Sequence, residues 1–110
     1  MVEYVRCDSD NPDFVRLTGQ LDEDLARRNG VWQQNYHKFN RIQGLSTALL
    51  AMEDGTAIGC GCFKRFDDDC VEIKRMYVAP AFRGRGVAGG LLLELEAWAL
   101  ELGYSCAVLE

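Results

Sequence analysis

The sequence predicts an α+β fold in which helices pack on one mixed β-sheet. Strand-like and helix-like patterns alternate along the 110 residues in the order β-α-α-β-β-β-α-β. Asp54-Gly55 separates two strand patterns and predicts a hairpin, because these residues accept the positive φ angles of a tight turn. A final β-α-β crossover makes the fifth strand parallel to the fourth, whereas strands two to four are antiparallel. The length predicts a single domain over 1–110.

The first half of the chain is predicted to hold one strand and two helices. Residues 3–7 form the short first strand. The Asp-Asn-Pro segment at 10–12 predicts a helix start, because a capping side chain is followed by proline early in the first turn. Apolar residues at helical spacing extend that helix to about residue 28, and a shorter helix is predicted over 31–43.

The second half of the chain is predicted to hold four strands and one helix. Pro80 stops the fourth strand, and Gly103 ends the helix, because glycine accepts the left-handed conformation that often follows a helix. The last strand is predicted to be short and buried. The predicted strands span 45–53, 56–66, 70–79 and 104–110, and the predicted helix spans 87–102.

The chain is acidic overall but locally basic. Its net charge is −5, yet one stretch holds Lys74, Arg75, Arg83 and Arg85 against Glu72 alone. A basic spot in an acidic protein suits an anionic cofactor bound near a cationic partner. Nucleic acid is not a predicted partner, because no basic stripe interleaved with aromatic residues occurs.

The sequence predicts neither a membrane span nor a signal peptide. No apolar run reaches the ~18 residues that a membrane span needs. The N-terminus lacks the basic and apolar regions of a signal peptide. A membrane is therefore not an expected partner, and a cytoplasmic location is expected by default.

The five cysteines predict neither a disulfide framework nor a metal site. Their number is odd, and no secretory signal accompanies them. Cys60 and Cys62 form a C-x-C pair, but no second pair follows at zinc-ligand spacing, so no metal is predicted. Alternation in a strand places these two thiols on one face, which predicts small buried side chains.

The segment FRGRGVAGG at 82–90 fits two phosphate-binding patterns. Gly84, Gly86 and Gly89 spell the G-x-G-x-x-G of a dinucleotide-binding turn. Glu110, at the end of the next strand, then stands about where a ribose-binding acid belongs. Charged residues inside the preceding strand disfavour this interpretation, because the corresponding strand of a dinucleotide-binding unit is apolar and buried on both faces.

Arg83, Gly86 and Ala88 give the second pattern, R-x-x-G-x-A. A glycine-rich loop that opens a helix presents free backbone N–H groups and the positive end of the helix dipole to a phosphate. Gly84 and Gly86 allow the backbone to approach a ligand closely. Arg83 and Arg85 add positive charge beside a pyrophosphate or ribose phosphate. This pattern accounts for the segment more fully than the dinucleotide pattern does.

The stretch EIKRMYVAPAFRGRGVAGGLL resembles the acetyl-CoA-binding segment of the GCN5-related N-acetyltransferase (GNAT) superfamily. Weaker similarity, in the element order and the hairpin, extends over the whole chain. The resemblance implies that acetyl-CoA lies where the strand before the loop splays from its neighbour, with its pantetheine arm on the backbone of Met76, Tyr77 and Val78. It also implies that the pyrophosphate binds the loop residues Arg83, Gly84, Arg85, Gly86, Val87 and Ala88.

The resemblance further implies direct attack of a primary amine on the thioester of acetyl-CoA. An amine with a pKa near ~10.4 is protonated at neutral pH, so a base must first accept a proton. Glu72 is the predicted base, because it lies 11 residues before Arg83, a placement similar to that of the glutamate in histone-type members. An ordinary strand carboxylate paired with Lys74 stays open as the alternative role. A covalent route through Cys106 is the weaker alternative, because that residue is predicted to be buried and has no paired base.

The resemblance is incomplete at the C-terminus. Members usually continue after the fifth strand with a helix and a hairpin, which generally carry a tyrosine general acid, and no residue here is predicted for that role. The apolar surface left uncovered predicts a homodimer or higher self-association. A non-catalytic CoA-binding or oligomerising remnant is therefore the alternative to an active enzyme. The acidic remainder of the chain favours a cationic acceptor, such as a polyamine, an aminoglycoside or a protein amine.

Overall fold

A computed structural model describes residues 1–29 and 44–110 as a five-stranded mixed sheet with a helix on each face. The strands are β1 (Val2–Cys7), β2 (Ala48–Glu53), β3 (Thr56–Arg65), β4 (Cys70–Val78) and β5 (Cys106–Leu109), and the helices are α1 (Pro12–Asn29) and α2 (Val87–Glu101), with a short 3-10 helix at Pro80–Phe82. The strands lie side by side in chain order. The first three pairings are antiparallel and β4 runs parallel to β5. The predicted α+β fold is confirmed, and the helix predicted over 31–43 lies outside the described residues.

Two apolar cores lie on opposite faces of the sheet. Successive residues of β2 alternate between them, because neighbouring side chains of a strand point to opposite faces. Leu49 packs with Leu91 and Leu95 of α2, while Leu50 packs with Phe14 of α1. Both helices also contact β4, so they flank the strand that carries the predicted site residues. Within the described ranges, no helix combines the length and the apolar character needed to cross a membrane.

The helix start predicted at 10–12 is confirmed, with Asn11 as the capping residue. The side-chain oxygen of Asn11 accepts the backbone N–H groups of Asp13 at 2.9 Å and Phe14 at 3.4 Å. These contacts satisfy amides that the first turn of a helix leaves without internal partners. Pro12 occupies the first helical position, where its missing N–H costs nothing.

The prediction that the last strand is buried is wrong. Cys106 and Ala107 are exposed, and Leu109 keeps 66% of its surface accessible. β5 forms the edge of the described sheet, so it gains cover from β4 on one side only. Apolar residue types predicted burial here, but burial depends on a covering layer that the residues themselves do not specify.

Cys70 and Cys106 form a disulfide, which the cysteine count did not predict. Their Cα atoms stand 4.5 Å apart at facing positions of β4 and β5, within the range that a disulfide spans. The prediction that Cys106 is buried is also wrong, since the residue is exposed. Cys60 and Cys62, by contrast, are fully buried on β3, as predicted.

Candidate functional site

A bulge in β4 shapes the strand that faces the site. Between the pairs Cys60–Tyr77 and Cys62–Lys74, β3 contributes one residue and β4 contributes two. Arg75, in the bulge, has a φ of 57°. This left-handed conformation costs a non-glycine residue about 1–2 kcal/mol, and such strain is concentrated at functional sites, where surrounding contacts hold it.

β4 and β5 separate after a short parallel contact. Their pairing ends at Ile73 and Leu109, and the backbone N–H of Glu110 donates to the carbonyl of Ile73 at 3.1 Å. From Met76 to Val78, that edge of β4 has no strand partner in the part of the chain that the structure describes. The separation opens a cleft with an unpaired strand edge as one wall.

The glycine-rich loop forms one end of this cleft. Gly84 and Gly86 have φ angles of 80° and 79°, which glycine adopts without steric cost. Gly86 caps α2, and the first turn that follows leaves backbone N–H groups without helical acceptors. Gly89 lies inside α2 without a positive φ. A Cβ on Gly89 would meet open space, so this position lacks the close helix–strand contact that requires the third glycine of a dinucleotide-binding motif.

A cavity of about 350 Å³ lies between this loop, α1 and the open edge of β4. It is lined by eight of the nine cofactor-binding residues predicted from the sequence. The ninth, Arg85, pairs instead with Glu53 of β2 at 2.6 Å. The eight lining residues are Met76, Tyr77, Val78, Arg83, Gly84, Gly86, Val87 and Ala88.

Arg83 ties the loop to α1 across this cavity. Its Nε donates to the carbonyl oxygen of Val78 at 2.8 Å, and its Nη2 lies 3.3 Å from Oδ2 of Asp24 on α1. The guanidinium carbon stands 5.4 Å from the centre of the Tyr77 ring, a cation–π contact. A guanidinium beside the amides of a helix start is a donor set that fits a pyrophosphate.

A second cavity of about 440 Å³ adjoins the first along β4. Leu21 and Leu25 of α1 and Met76 of β4 line both cavities, so the two form one cleft. Lys74 and Glu110 line the second cavity but not the first. The cleft therefore runs from the glycine-rich loop at one end to a charged cluster at the other.

Lys74 and Arg75 are buried, so the expectation that the charges inside β4 keep this strand from being buried on both faces is wrong. They are 7% and 4% exposed. Nζ of Lys74 lies 2.9 Å from a carboxylate oxygen of Glu110. Nη2 of Arg75 donates to Asp22 at 2.6 Å and to the carbonyl of Thr18 at 2.9 Å. Burial of charge is tolerated when each charged group gains a partner.

Acidic neighbours control the protonation of Lys74. Burial alone lowers the pKa of its ammonium group, but the hydrogen bond and charge of Glu110, with the charge of Glu72, raise that pKa above its ordinary value. Glu72 lies 3.8 Å from Nζ of Lys74 and 3.9 Å from Nζ of Lys64. The ion pair weighed from the sequence as the alternative role of Glu72 is therefore present.

Glu110 belongs to the cleft, although the sequence indicated it only as the ribose-binding acid of the dinucleotide pattern. It lines the second cavity, whereas Glu72 is not among the residues that line either cavity. Its Oε1 also accepts the backbone N–H of Arg75 at 3.2 Å, next to the bulge. Its position at the end of a strand parallel to β4 was the available signal, because ligand sites form at the carboxyl ends of parallel strands.

Two relatives are uncharacterized N-acetyltransferases. The one from Archaeoglobus fulgidus is 32% identical over 120 aligned positions, which cover 98% of this chain and 80% of the relative. The one from Schizosaccharomyces pombe is 41% identical over 59 residues, which cover 53% of this chain and 36% of the relative. The match thus spans little more than a third of the yeast relative's length.

Two solved structures share the fold. A Klebsiella pneumoniae protein assigned to the acyl-CoA N-acyltransferases superposes with a TM-score of 0.71 at 26% identity, covering 93% of this chain and 66% of that one. The N-acetylglutamate synthase of Neisseria gonorrhoeae, solved with coenzyme A and N-acetyl-glutamate, gives 0.70 at 25% identity, covering 97% and 25%. This chain thus spans less than two thirds of the first protein and a quarter of the second.

A family profile extends the similarity over nearly the whole chain. Residues 8–110 match the acetyltransferase (GNAT) family. The match includes the bulged strand, the left-handed loop and the helix that it opens. The resemblance predicted from the sequence is confirmed, and the chain belongs to the acetyltransferase (GNAT) family.

Proposed function

We propose that this chain transfers an acetyl group from acetyl-CoA to a primary amine that attacks the thioester directly. One observation carries the proposal: a left-handed glycine loop and an unpaired edge of β4 line a single cleft. The loop offers amides to phosphate groups, and the edge offers backbone groups to an extended chain of amides. Coenzyme A, with which the Neisseria synthase was solved, contains both chemical features.

The residues of the first cavity divide the binding of acetyl-CoA between them. Acetyl-CoA supplies the acetyl group as an activated thioester. The amides that follow Gly86 bind its pyrophosphate at the positive end of α2. Arg83 exchanges Asp24 for a phosphate oxygen, since a guanidinium recognises both kinds of anion. The backbone from Met76 to Val78 pairs with the pantetheine arm as it would with an added strand.

Glu72 and Glu110 form the carboxylate pair that receives the proton of the acceptor amine. They share the ammonium of Lys74, at 3.8 Å and 2.9 Å. Glu110 lines the second cavity, and Glu72, the base predicted from the sequence, is linked to that cavity through Lys74. A positioned base of this kind accelerates a proton-transfer step by a factor on the order of a hundred or more.

The state of the cysteines supports direct attack rather than a cysteine-bound intermediate. Burial raises the pKa of Cys60 and Cys62 to about 12 and that of Cys7 to about 11. These thiols stay protonated at neutral pH, whereas a cysteine nucleophile must be a thiolate. Cys106 is bonded to Cys70 and offers no thiol.

The acceptor is proposed to be a cationic amine. The chain carries a net charge of −5, which attracts cations and raises their rate of encounter with the protein. Polyamines, aminoglycosides and protein amines satisfy this requirement. Nucleic acid and membranes are not part of the proposal.

A second copy of the chain is proposed to cover the exposed apolar residues of α2 and β5. Leu93 and Leu100 of α2 are each 69% exposed, and Leu109 of β5 is 66% exposed. Edge strands of this kind pair with other chains unless charges or cover protect them. We expect a dimer or a larger species by light scattering, and a clean monomer would contradict this.

Turnover measured beside binding tests the proposed reaction. Acetyl-CoA binding is followed by calorimetry, and release of the CoA thiol is followed with a panel of polyamines, aminoglycosides and peptide amines. We expect saturable binding and amine-dependent thiol release. Binding without release for any amine would identify a non-catalytic CoA-binding module.

Matched glutamine variants test the carboxylate pair. Glu72→Gln and Glu110→Gln are each expected to slow turnover by roughly a hundredfold, with little change in acetyl-CoA affinity. Glu94→Gln, on an exposed part of α2, is the control and should leave both unchanged. Full turnover in both site variants would remove the pair from the mechanism.

A further inference from the structure

Lys74 places a primary amine inside the cleft in which we propose that acyl transfer occurs. It is 7% exposed and lines the second cavity together with Met76 and Ala88, which also line the cofactor cavity. The other lysine within the described residues, Lys64, keeps 47% of its side chain accessible. Lysine is rarely buried to this degree, so the placement of Lys74 calls for a reason.

We propose that Lys74 is itself an acetylation site, modified by the acyl-CoA thioester bound in the same cleft. The inference rests on the proposed function, because it requires a bound acyl-CoA. Nζ attacks the carbonyl carbon of the thioester, so that a C–N bond forms and the C–S bond breaks. The ammonium loses two protons in all: one passes to the departing CoA thiolate and the other to a carboxylate and then to solvent.

Glu110 is the carboxylate placed to accept the first proton. Its Oε2 lies 2.9 Å from Nζ of Lys74. Three titratable groups act on the ammonium of Lys74. They are Glu110, which directly follows β5, Glu72 on β4 and Cys62 on β3. Because the amide formed on Lys74 is stable, the reaction occurs once per chain rather than as turnover.

Acetylation changes the cluster in which it occurs. The modified side chain carries no charge, so it no longer pairs with Glu110 or Glu72. Both carboxylates then lose the ammonium that they share in the unmodified chain. The modification therefore acts on the same pair that we propose as the proton acceptor for an external amine.

Site-resolved mass spectrometry tests the inference on the intact chain. The protein is incubated with acetyl-CoA, digested, and the acetylated fraction of each lysine is followed over time. Lys64 is the internal control, because it lies beside the same Glu72 but is exposed. Acetylation from solution favours the exposed lysine, whereas acetylation by bound cofactor favours the buried one. We expect Lys74 to be labelled about tenfold faster or more, through proximity to the bound thioester.

Competition and substitution sharpen the test. Excess unacetylated CoA should suppress labelling of Lys74 and leave Lys64 unchanged. Glu110→Gln should slow labelling at Lys74 only, and Lys74→Arg should remove that label while preserving the charge. Equal or faster labelling of Lys64, or labelling of Lys74 that CoA does not suppress, would overturn the inference.

Calorimetry separates failure of this inference from failure of the proposed function. Saturable binding of acetyl-CoA without label on Lys74 would overturn the inference and leave cofactor binding intact. Absence of both binding and label would overturn the inference together with the proposed function.

Discussion

The glycine-rich loop and β4 each carry two cations, and the two on the loop differ from the two on β4 in burial. The side chains of Arg83 and Arg85 are 45% and 46% exposed, whereas those of Lys74 and Arg75 are 9% and 5% exposed. An exposed ion pair contributes about 0–1 kcal/mol, while breaking a buried one costs several kcal/mol. The loop cations can therefore exchange their carboxylate partners for an anionic ligand at little cost, whereas the ion pairs of the β4 cations stabilise the folded site.

Every one of these cations has an acidic partner from another element, which a local charge count does not predict. The partners are Asp24 for Arg83, Glu53 for Arg85, Glu110 for Lys74 and Asp22 for Arg75. The basic stretch seen in the sequence is thus largely neutralised in the folded chain. An anionic cofactor meets cations that must first release a carboxylate.

The largest effect is expected on stability, from breaking the buried ion pair of Arg75. Asp22→Asn leaves the buried guanidinium of Arg75 without its charged partner, so we expect the free energy of unfolding to fall by about 3 kcal/mol. Glu23→Gln is the control, because Glu23 is the next residue of α1 and its pair with Arg27 is exposed. The control should cost less than about 0.5 kcal/mol. Urea unfolding measures both, and equal losses would remove the distinction between buried and exposed pairs.

A smaller effect is expected in the loop, where conformation rather than charge is tested. Gly86→Ala forces alanine into a left-handed φ, which costs about 1–2 kcal/mol and should weaken acetyl-CoA binding roughly fivefold to thirtyfold. Gly19→Ala is the matched control, because Gly19 lies in α1, lines neither cavity, and a Cβ there meets open space. Titration calorimetry compares the two. A similar loss of affinity in Gly19→Ala would mean that the conformation of the loop does not set the affinity.

The smallest effect is expected on the exposed pair of Arg83. Asp24→Asn removes the carboxylate that competes with phosphate for the guanidinium, so acetyl-CoA should bind about two- to fivefold more tightly, the range that an exposed pair allows. A pantetheine derivative without phosphate groups is the control ligand and should show no change. Weaker binding of acetyl-CoA to Asp24→Asn would mean that Asp24 positions Arg83 rather than competing for it.

Local patterns predicted most of the fold and the loop. The hairpin at Asp54-Gly55, the helix start at 10–12 and the glycine-rich turn that opens α2 depend on residues close together in sequence, and the structure has all three. Eight of the nine predicted cofactor residues line one cavity. Their roles as cofactor ligands stay a prediction. Their position in one cavity could be predicted because the loop follows the end of β4 directly in the sequence.

Long-range contacts account for what the sequence did not predict. The burial of Lys74 and Arg75 depends on acids that lie 36 and 53 residues away along the chain. The disulfide at Cys106 depends on the register between β4 and β5. The charges inside β4 were also one reason to reject the dinucleotide pattern, and that reason fails. The dinucleotide pattern is disfavoured instead by the open space beside Gly89, where that pattern requires close packing of the helix on the strand, and by the family match.

A calorimetric titration of the chain with acetyl-CoA, with NAD run in parallel, tests directly which cofactor the cleft binds. We expect saturable binding of acetyl-CoA and none of NAD, because the loop and the open edge of β4 together fit a pyrophosphate joined to pantetheine. Binding of NAD without binding of acetyl-CoA would contradict the assignment of this cleft.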